Sequence, residues 1–441
     1  MSSLKTRDIV ALGFMTFALF LGAGNIIFPP AVGLSAGENF WSASTGFLLT
    51  GVGLPLITVV AMARVGGGIK TITAPIGATA GMALGIVVYL TIGPVFATPR
   101  TATVSFEMGV APFVGNTPGG LFVYSLLYFG LAGVLSLFPG KLVDNLGKLI
   151  TPPLILALGV LGGAAFLLPA EALSSSLATY QSTGLAFGQG FSQGYQTMDA
   201  LAALVFGIVI IDAIKSRGID DGRLHTRYAI IAGVMAAIGL GLLYISLLYL
   251  GAHSGAQVQG ASSGVQILTA FVQETFGSWG MGLLSVVILL ACLTTGVGLI
   301  TASASFFSRL LPLSYRALVV LLSLFSLVVS NQGLEHLIRV AEPVLVTIYP
   351  VAMVLVALSF LSPWMRSASR VFIPTMLTAL LCGLIDGMRF LDWNNALTQA
   401  LSQMPGAAMS LSWLLPVLLV FVLSAALDRL LWAPANAPNA S

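Results

Sequence analysis

The sequence predicts an all-α integral membrane protein with twelve transmembrane helices, the first and the sixth of them broken. Three observations predict it: composition, the spacing of apolar runs, and the placement of the basic residues. Of the 441 residues, 57% are hydrophobic and only 7% are Asp, Glu, Lys or Arg. A soluble domain carries roughly 25% charged residues. So few charges cannot cover a water-facing surface, which excludes a soluble enzyme, a nucleic-acid binder and a disordered chain. The mean hydropathy of +1.00 makes lipid the solvent.

Apolar runs fall at 8–33, 42–63, 81–108, 119–138, 148–168, 194–216, 224–251, 278–309, 313–330, 338–361, 371–390 and 409–431. Each is long enough to span a bilayer as a helix. A transmembrane barrel needs ~10-residue alternating strands, and these runs do not alternate. With the N-terminus inside, all but three of the 18 Lys and Arg fall at cytoplasmic ends. Arg339 and Arg389 lie near outer ends and Arg100 within a span. That bias supports the span count and places both termini in the cytoplasm. The outer connections 169–193 and 252–277 hold no Lys or Arg and read as Gly-, Ser- and Gln-rich loops. The run after Lys5 and Arg7 is too long for a cleavable leader, so none is expected, and neither is an appended soluble domain. The net charge of +3 points to no polyanionic partner, and Cys292 and Cys382 sit inside apolar runs, away from any disulfide framework.

The first span reads Phe20-Leu21-Gly22-Ala23-Gly24-Asn25-Ile26-Ile27-Phe28-Pro29-Pro30. Glycines and an asparagine loosen a helix at mid-membrane. Pro29 and Pro30 lack the N–H groups that the carbonyls of Asn25 and Ile26 need. Open backbone polar groups are tolerated in the membrane only where they line a cavity. The segment therefore reads as a broken helix whose amides and carbonyls bind a small ligand and an ion. The alternative is a packing patch of small residues with a proline kink. A dinucleotide loop is excluded, because Ile27 stands where the third glycine belongs and no strand precedes it.

The third span carries Pro94, Pro99, Arg100 and Glu107. Arg100 and Glu107 share a face but lie ~10 Å apart along the axis. Asp199 or Glu342 is a better partner for Arg100, and snorkelling toward the outer surface is the alternative. The sixth span opens with the polar cluster Gly194-Tyr195-Gln196-Thr197-Met198-Asp199. An aspartate in a span is a functional candidate; the alternative is a helix cap at the outer interface. Spans one and six lie five spans apart. A repeat of odd length inverts its topology, and paired interruptions in inverted halves point to a midplane transport site. In the eighth span, Thr294 and Thr295 offer hard oxygens to a cation, or bond back to the carbonyl one turn earlier, which the residues alone favour. His225, His253 and His336 share no metal-ligand spacing and read as surface residues. No selectivity filter argues for a channel and no facing His or acidic cluster for a membrane enzyme.

Several stretches carry a resemblance. They are Arg7-Asp8-Ile9-Val10-Ala11-Leu12-Gly13-Phe14-Met15-Thr16-Phe17-Ala18-Leu19-Phe20 with the 22–30 segment, Val65-Gly66-Gly67-Gly68, Gly93-Pro94, Phe96 to Glu107, Pro139-Gly140-Lys141-Leu142, Thr197-Met198-Asp199 and Pro312-Leu313-Ser314-Tyr315-Arg316. Together they resemble the bacterial branched-chain amino acid:cation symporter family, over nearly the whole chain.

The resemblance implies the leucine-transporter fold. The first inverted repeat would occupy 1–168, the second 194–361, and two further helices 371–431. It implies sodium-coupled uptake of leucine, isoleucine and valine across the bacterial inner membrane, with Na+ as coupling ion and no organic cofactor. A proton-coupled or broader neutral amino acid symporter is the alternative. The ligand carboxylate would meet the amides of Ala23, Gly24 and Asn25, on a half-helix beginning near Asn25. One sodium would take the Phe20 carbonyl, the Asn25 side chain and Thr197. A second would take the carbonyls of Ala18, Leu21 and Ala291 and the hydroxyls of Thr294 and Thr295, because Ala-x-x-Thr-Thr resembles the fold's Ala-x-x-Thr-Ser pattern. Asp199 departs from the small polar residue usual there. Phe96 and Tyr195 are candidate pocket or gate residues.

Overall fold

The computed structural model describes residues 4–66, 68–138, 151–167, 173–254, 263–391, 393, 395–404, 406–409 and 411–430. Gly67, the 139–142 motif, Lys148 and residue 431 lie outside them. The described residues hold helices and no strands. Eight helical stretches are long and apolar enough to cross a membrane, and Thr151–Leu167 and Tyr315–Ser330 are shorter apolar helices.

In chain order the α-helices of seven or more residues are α1 Thr6–Phe20, α2 Ala23–Ala36, α3 Phe40–Leu48, α4 Leu54–Arg64, α5 Ala78–Leu90, α6 Ala97–Gly109, α7 Pro118–Ser136 and α8 Thr151–Leu167. There follow α9 Thr183–Tyr195, α10 Asp199–Lys215, α11 Gly222–Ala252, α12 Gly264–Phe307, α13 Tyr315–Ser330, α14 Leu334–Leu361, α15 Ala368–Phe390, α16 Ala396–Ser402 and α17 Leu414–Leu430.

The first interruption is real but lies earlier than the prolines imply. α1 stops at Phe20 and α2 restarts at Ala23, with Gly22 in extended backbone. Pro29 and Pro30 sit inside α2. The half-helix thus begins at Ala23, not near Asn25. The reason is local: the Gly22 N–H donates to Asn25 Oδ1 at 3.0 Å, a capping contact that sets Gly22 as the N-cap and starts the helix two residues before the asparagine.

The sixth run begins eleven residues before the expected 194. Helix α9 already occupies 183–195, and the polar cluster straddles the junction of two half-helices, with Gln196, Thr197 and Met198 between α9 and α10. Its glycines lower the hydropathy because they are packing surfaces. A Cβ on Gly190 would stand 2.0 Å from the Ala43 carbonyl oxygen, and Gly46 of α3 meets the Phe187 carbonyl as closely. Only hydrogen side chains let α9 and α3 approach so near. The connection 252–277 is likewise not all loop. α12 starts at Gly264 and kinks at Gly277, whose φ of +61° favours glycine. Gly264 rests on the Ile27 carbonyl of α2. His225 is buried, its Nε2 2.8 Å from the Ile219 carbonyl, so it is not a surface residue.

Two helix pairings frame the centre. α1 and α2 pack on α11, while α9 and α10 pack on α3 and α4. α6 and α12 pack on each other beside them. The α9–α10 stretch is largely buried and α7 largely exposed, so the broken helices form the core and α7 lies at the periphery.

Candidate functional site

The two breaks touch. A Cβ on Gly24 would lie 3.0 Å from Thr197 Cα and 3.3 Å from the Gln196 carbonyl oxygen. At the second break the chain turns through Met198, whose φ of +66° and ψ of 9° put a non-glycine residue in the left-handed region. α10 then starts at Asp199.

A polar network fastens one break to the other. The Asn25 side-chain amide donates to Asp199 Oδ2 at 2.6 Å and to the Tyr244 hydroxyl oxygen. Tyr244 in turn donates to the same Asp199 oxygen at 2.7 Å. All three residues are buried. Nothing in the apolar sequence of α11 marks Tyr244 as a site residue; only the fold brings it to Asp199.

At the first break the loss of helical pairing can be followed group by group. The Gly22 N–H, which would serve the Ala18 carbonyl, is turned to Asn25. The restart at Ala23 also frees the carbonyls of Leu19 and Leu21. Thr295 of α12 takes their place: its Oγ1 lies 3.3 Å from the Ala18 and Leu19 carbonyl oxygens and 2.9 Å from that of Leu21. Thr294 Oγ1 stands 2.9 Å from the Ala291 carbonyl and 3.4 Å from that of Ala18. One hydroxyl carries one proton and satisfies one carbonyl. The oxygens left facing one another repel, an arrangement that a cation relieves. No group of three or more His, Cys, Asp or Glu suited to a metal occurs among the described residues, so this cluster is built of neutral oxygens alone.

A small cavity, ≈ 30 Å³, lies where the breaks meet. Phe20, Ala23, Gly24, Asn25, Thr197 and Asp199 line it, with Arg100 of α6, Thr295, and an apolar wall that includes Ile92, Phe206 and Leu299. It admits about one water. Phe96 and Tyr195 are not in its lining. Phe96 is buried at the start of α6, and Tyr195 stacks on Tyr349 with centroids 4.3 Å apart. Thr197 Oγ1 donates to the Gly194 carbonyl at 2.9 Å. Arg100 pairs with neither Asp199 nor Glu342 and does not snorkel. It is buried, and its Nη1 donates to the Gln196 carbonyl at 2.6 Å. A larger cavity, ≈ 570 Å³, lies among Lys70, Tyr89, Asp212, Thr301, Ser305 and Arg309. It lies at the C-terminal ends of α10 and α12.

A family model described as branched-chain amino acid transport protein matches residues 5–431. The chain is 59% identical over 437 residues to the branched-chain amino acid transport system 2 carrier protein of Pseudomonas aeruginosa, covering 99% of this chain and 100% of that one. It is 51% identical to the branched-chain amino acid permease BrnQ of Escherichia coli K12, with 97% of each covered. To the permease BraB of Bacillus subtilis it is 39% identical, with 94% of each covered. These relatives are named as carriers and permeases, not enzymes. Among solved structures, the fold is shared with a Na+-coupled sialic acid symporter at TM-score 0.59 and 12% identity, over 97% of this chain and 91% of that one. It is also shared with a manganese transporter of Eremococcus coleocola at TM-score 0.60 and 14% identity, over 97% of each. The chain belongs to the branched-chain amino acid transport protein family, a family of multi-pass membrane transporters.

Proposed function

We propose that this chain is a secondary active symporter that brings leucine, isoleucine and valine into a bacterial cell with sodium. It would work from the inner membrane with both termini in the cytoplasm. The observation that carries this reading is the meeting of two helix breaks beside a cluster of neutral backbone and hydroxyl oxygens. The start of α2 aims the first-turn amides of Ala23, Gly24 and Asn25, and the positive end of its dipole, at a ligand carboxylate. The carbonyls of Ala18, Leu21 and Ala291 with Thr294 and Thr295 form a cage without carboxylates, which suits a monovalent cation. A second cation would take the Phe20 carbonyl, Asn25 and Thr197, which line the central cavity. Asp199, which lines the same cavity, would take the ligand ammonium.

The apolar wall gives the side-chain preference. Each buried methylene is worth ~0.8 kcal/mol, so leucine is separated readily from alanine and poorly from isoleucine. The central cavity is too small for leucine, so the α1–α2 and α9–α10 units must move against α6 and α12 to admit it. The cavity beside Lys70 and Arg309 supplies a cytoplasmic exit. We further infer twelve spans in two inverted five-helix repeats, 1–168 and 194–361, followed by 371–431. The mirrored pairings support this: the first span packs on the seventh, and the sixth on the second.

Proton coupling is the second reading, favoured by the buried carboxylate of Asp199 within a span. Labelled-leucine uptake into proteoliposomes separates the two. Under the sodium reading, an inward sodium gradient at equal pH drives accumulation, and unlabelled isoleucine and valine compete while lysine and glutamate do not. Accumulation driven by a pH gradient alone would move the coupling to the proton. Equal competition by lysine would sink the neutral, aliphatic pocket.

A further inference from the structure

We infer that Arg100 is a second anchor for the substrate carboxylate, and the residue that makes recognition depend on that group's charge. The inference rests on the reading above, that the central cavity takes an amino acid.

Among the described residues Arg100 heads the largest fully buried side chains, with a relative exposure of 2%. Only one of its nitrogens is spent within the protein, Nη1 on the Gln196 carbonyl. Nε and Nη2 are buried and have no hydrogen-bond partner. These two nitrogens form one edge of the guanidinium, with parallel N–H groups spaced to meet both oxygens of one carboxylate. The side chain lines the same cavity as the start of α2. Among the described residues no carboxylate forms an ion pair with it. The carboxylate of Asp199 already accepts from Asn25 and Tyr244 and forms no ion pair with it. The face of Phe28, 5.4 Å from the Arg100 Cζ, softens the charge without using the free edge.

A buried guanidinium with an open edge is costly unless something fills it. A zwitterionic amino acid does so. Its carboxylate spans the Nε–Nη2 edge and the first-turn amides of α2. Its ammonium is left to the Asp199 side of the cavity, so both buried charges acquire partners in one binding event. Dipole and amides alone would hold any acceptor; the guanidinium edge selects an anionic, planar one.

The test compares leucine with leucinamide, which keeps the side chain and ammonium but has no carboxylate. Equilibrium binding of each to purified protein is measured at saturating sodium, with monodispersity checked for every variant. Wild type should bind leucine at least about a hundredfold more tightly than leucinamide. Arg100→Gln should lower leucine affinity at least about thirtyfold and leave leucinamide affinity unchanged, so that the ratio collapses. A purely structural role would lower both together. If Arg100→Gln does not fold, Arg100→Lys keeps the buried charge but not the fork, and should lose at least about tenfold for leucine alone. A folded variant that keeps the wild-type ratio overturns the inference. So does a wild type that binds both ligands equally, which leaves the amino acid site standing. A wild type that binds neither ligand overturns the proposed function, and the inference with it.

Discussion

The first and second breaks reach the same end by different local chemistry. The first is made of small residues and a side-chain cap: Gly22 is extended, and Asn25 catches its N–H. The second is made without a glycine at its turning point. Met198 sits in the left-handed region, a conformation that costs an ordinary residue about 1–2 kcal/mol. The first break frees carbonyls and receives hydroxyls from α12. The second presents a carboxylate and receives an amide and a phenol. A break that offers only carbonyls and amides suits a cation and an anion, whereas Asp199 brings a fixed charge. The difference teaches that the two half-helix pairs, though mirrored in packing, are not interchangeable in chemistry.

The largest effect should come where the breaks touch. Gly24→Leu forces a side chain into the Thr197 backbone, which cannot yield as a side-chain tip would. Leucine binding, measured by equilibrium scintillation proximity on monodisperse protein, should be abolished. Near-normal binding would show that contact between the breaks is not needed for the site. A control substitution needs open space, and Gly13→Ala in α1 lacks it, although Ala is the better helix former. Its Cβ would lie 2.6 Å from Met235 Sδ, so that flexible side chain must move. Gly130, with open space around it, serves better.

The next effect separates the two threonines. Thr295 reaches three carbonyls across the first break, whereas Thr294 makes its shortest bond within its own helix. Thr295→Val should reduce apparent sodium affinity at least about tenfold, and Thr294→Val less. Unchanged sodium dependence in both would mean that the hydroxyls serve only to close the break.

A smaller effect tests the second break. Met198 is buried, so Met198→Leu and Met198→Val both keep an apolar side chain there. Only valine is branched beside the backbone, and branching is poorly tolerated at positive φ. Met198→Val should be less stable than Met198→Leu by about 1 kcal/mol, read from thermal unfolding in one detergent. Equal stabilities would mean that the turn relaxes without cost.

The same contrast explains what the sequence made legible. The first break announces itself, because Gly22, Gly24 and Asn25 interrupt an apolar run and have no reason to be there otherwise. The second lies within the polar cluster that marks it, but the helix leading into it begins eleven residues before the apolar run at 194. Gly184, Gly188, Gly190 and Gly194 depress hydropathy as a loop would, and the close approach of Gly190 and Gly194 to α3 shows helix packing instead. Arg100 and Asp199 were visible as charges in spans, but whether they met each other depended on rotations no linear pattern encodes. Tyr244 carried no signal. For Thr295 the residues alone favour a bond back along its own helix, and only the position of α1 decides that it meets the carbonyls of the first break instead.

The smallest effect returns to the first break, at Gly22. Its φ of −117° and ψ of −167° are extended backbone open to any residue. Glycine is not required there for conformation, in contrast to the usual reason for glycine at a helix break. What a Cβ would meet is Thr295: its Cγ2 at 3.1 Å and its Oγ1 at 3.4 Å. That contact is with the end of a short side chain, which must shift by a few tenths of an ångström. The shift moves the hydroxyl against the carbonyls of Ala18 and Leu21 without touching the amides that face the ligand. Gly22→Ala should therefore lower apparent sodium affinity by about threefold, less than 1 kcal/mol, and leave leucine binding at saturating sodium within about twofold of wild type. A loss of leucine binding as complete as that of Gly24→Leu would mean that glycine at the first break serves the ligand directly, and the division of labour between Gly22 and Gly24 would fall.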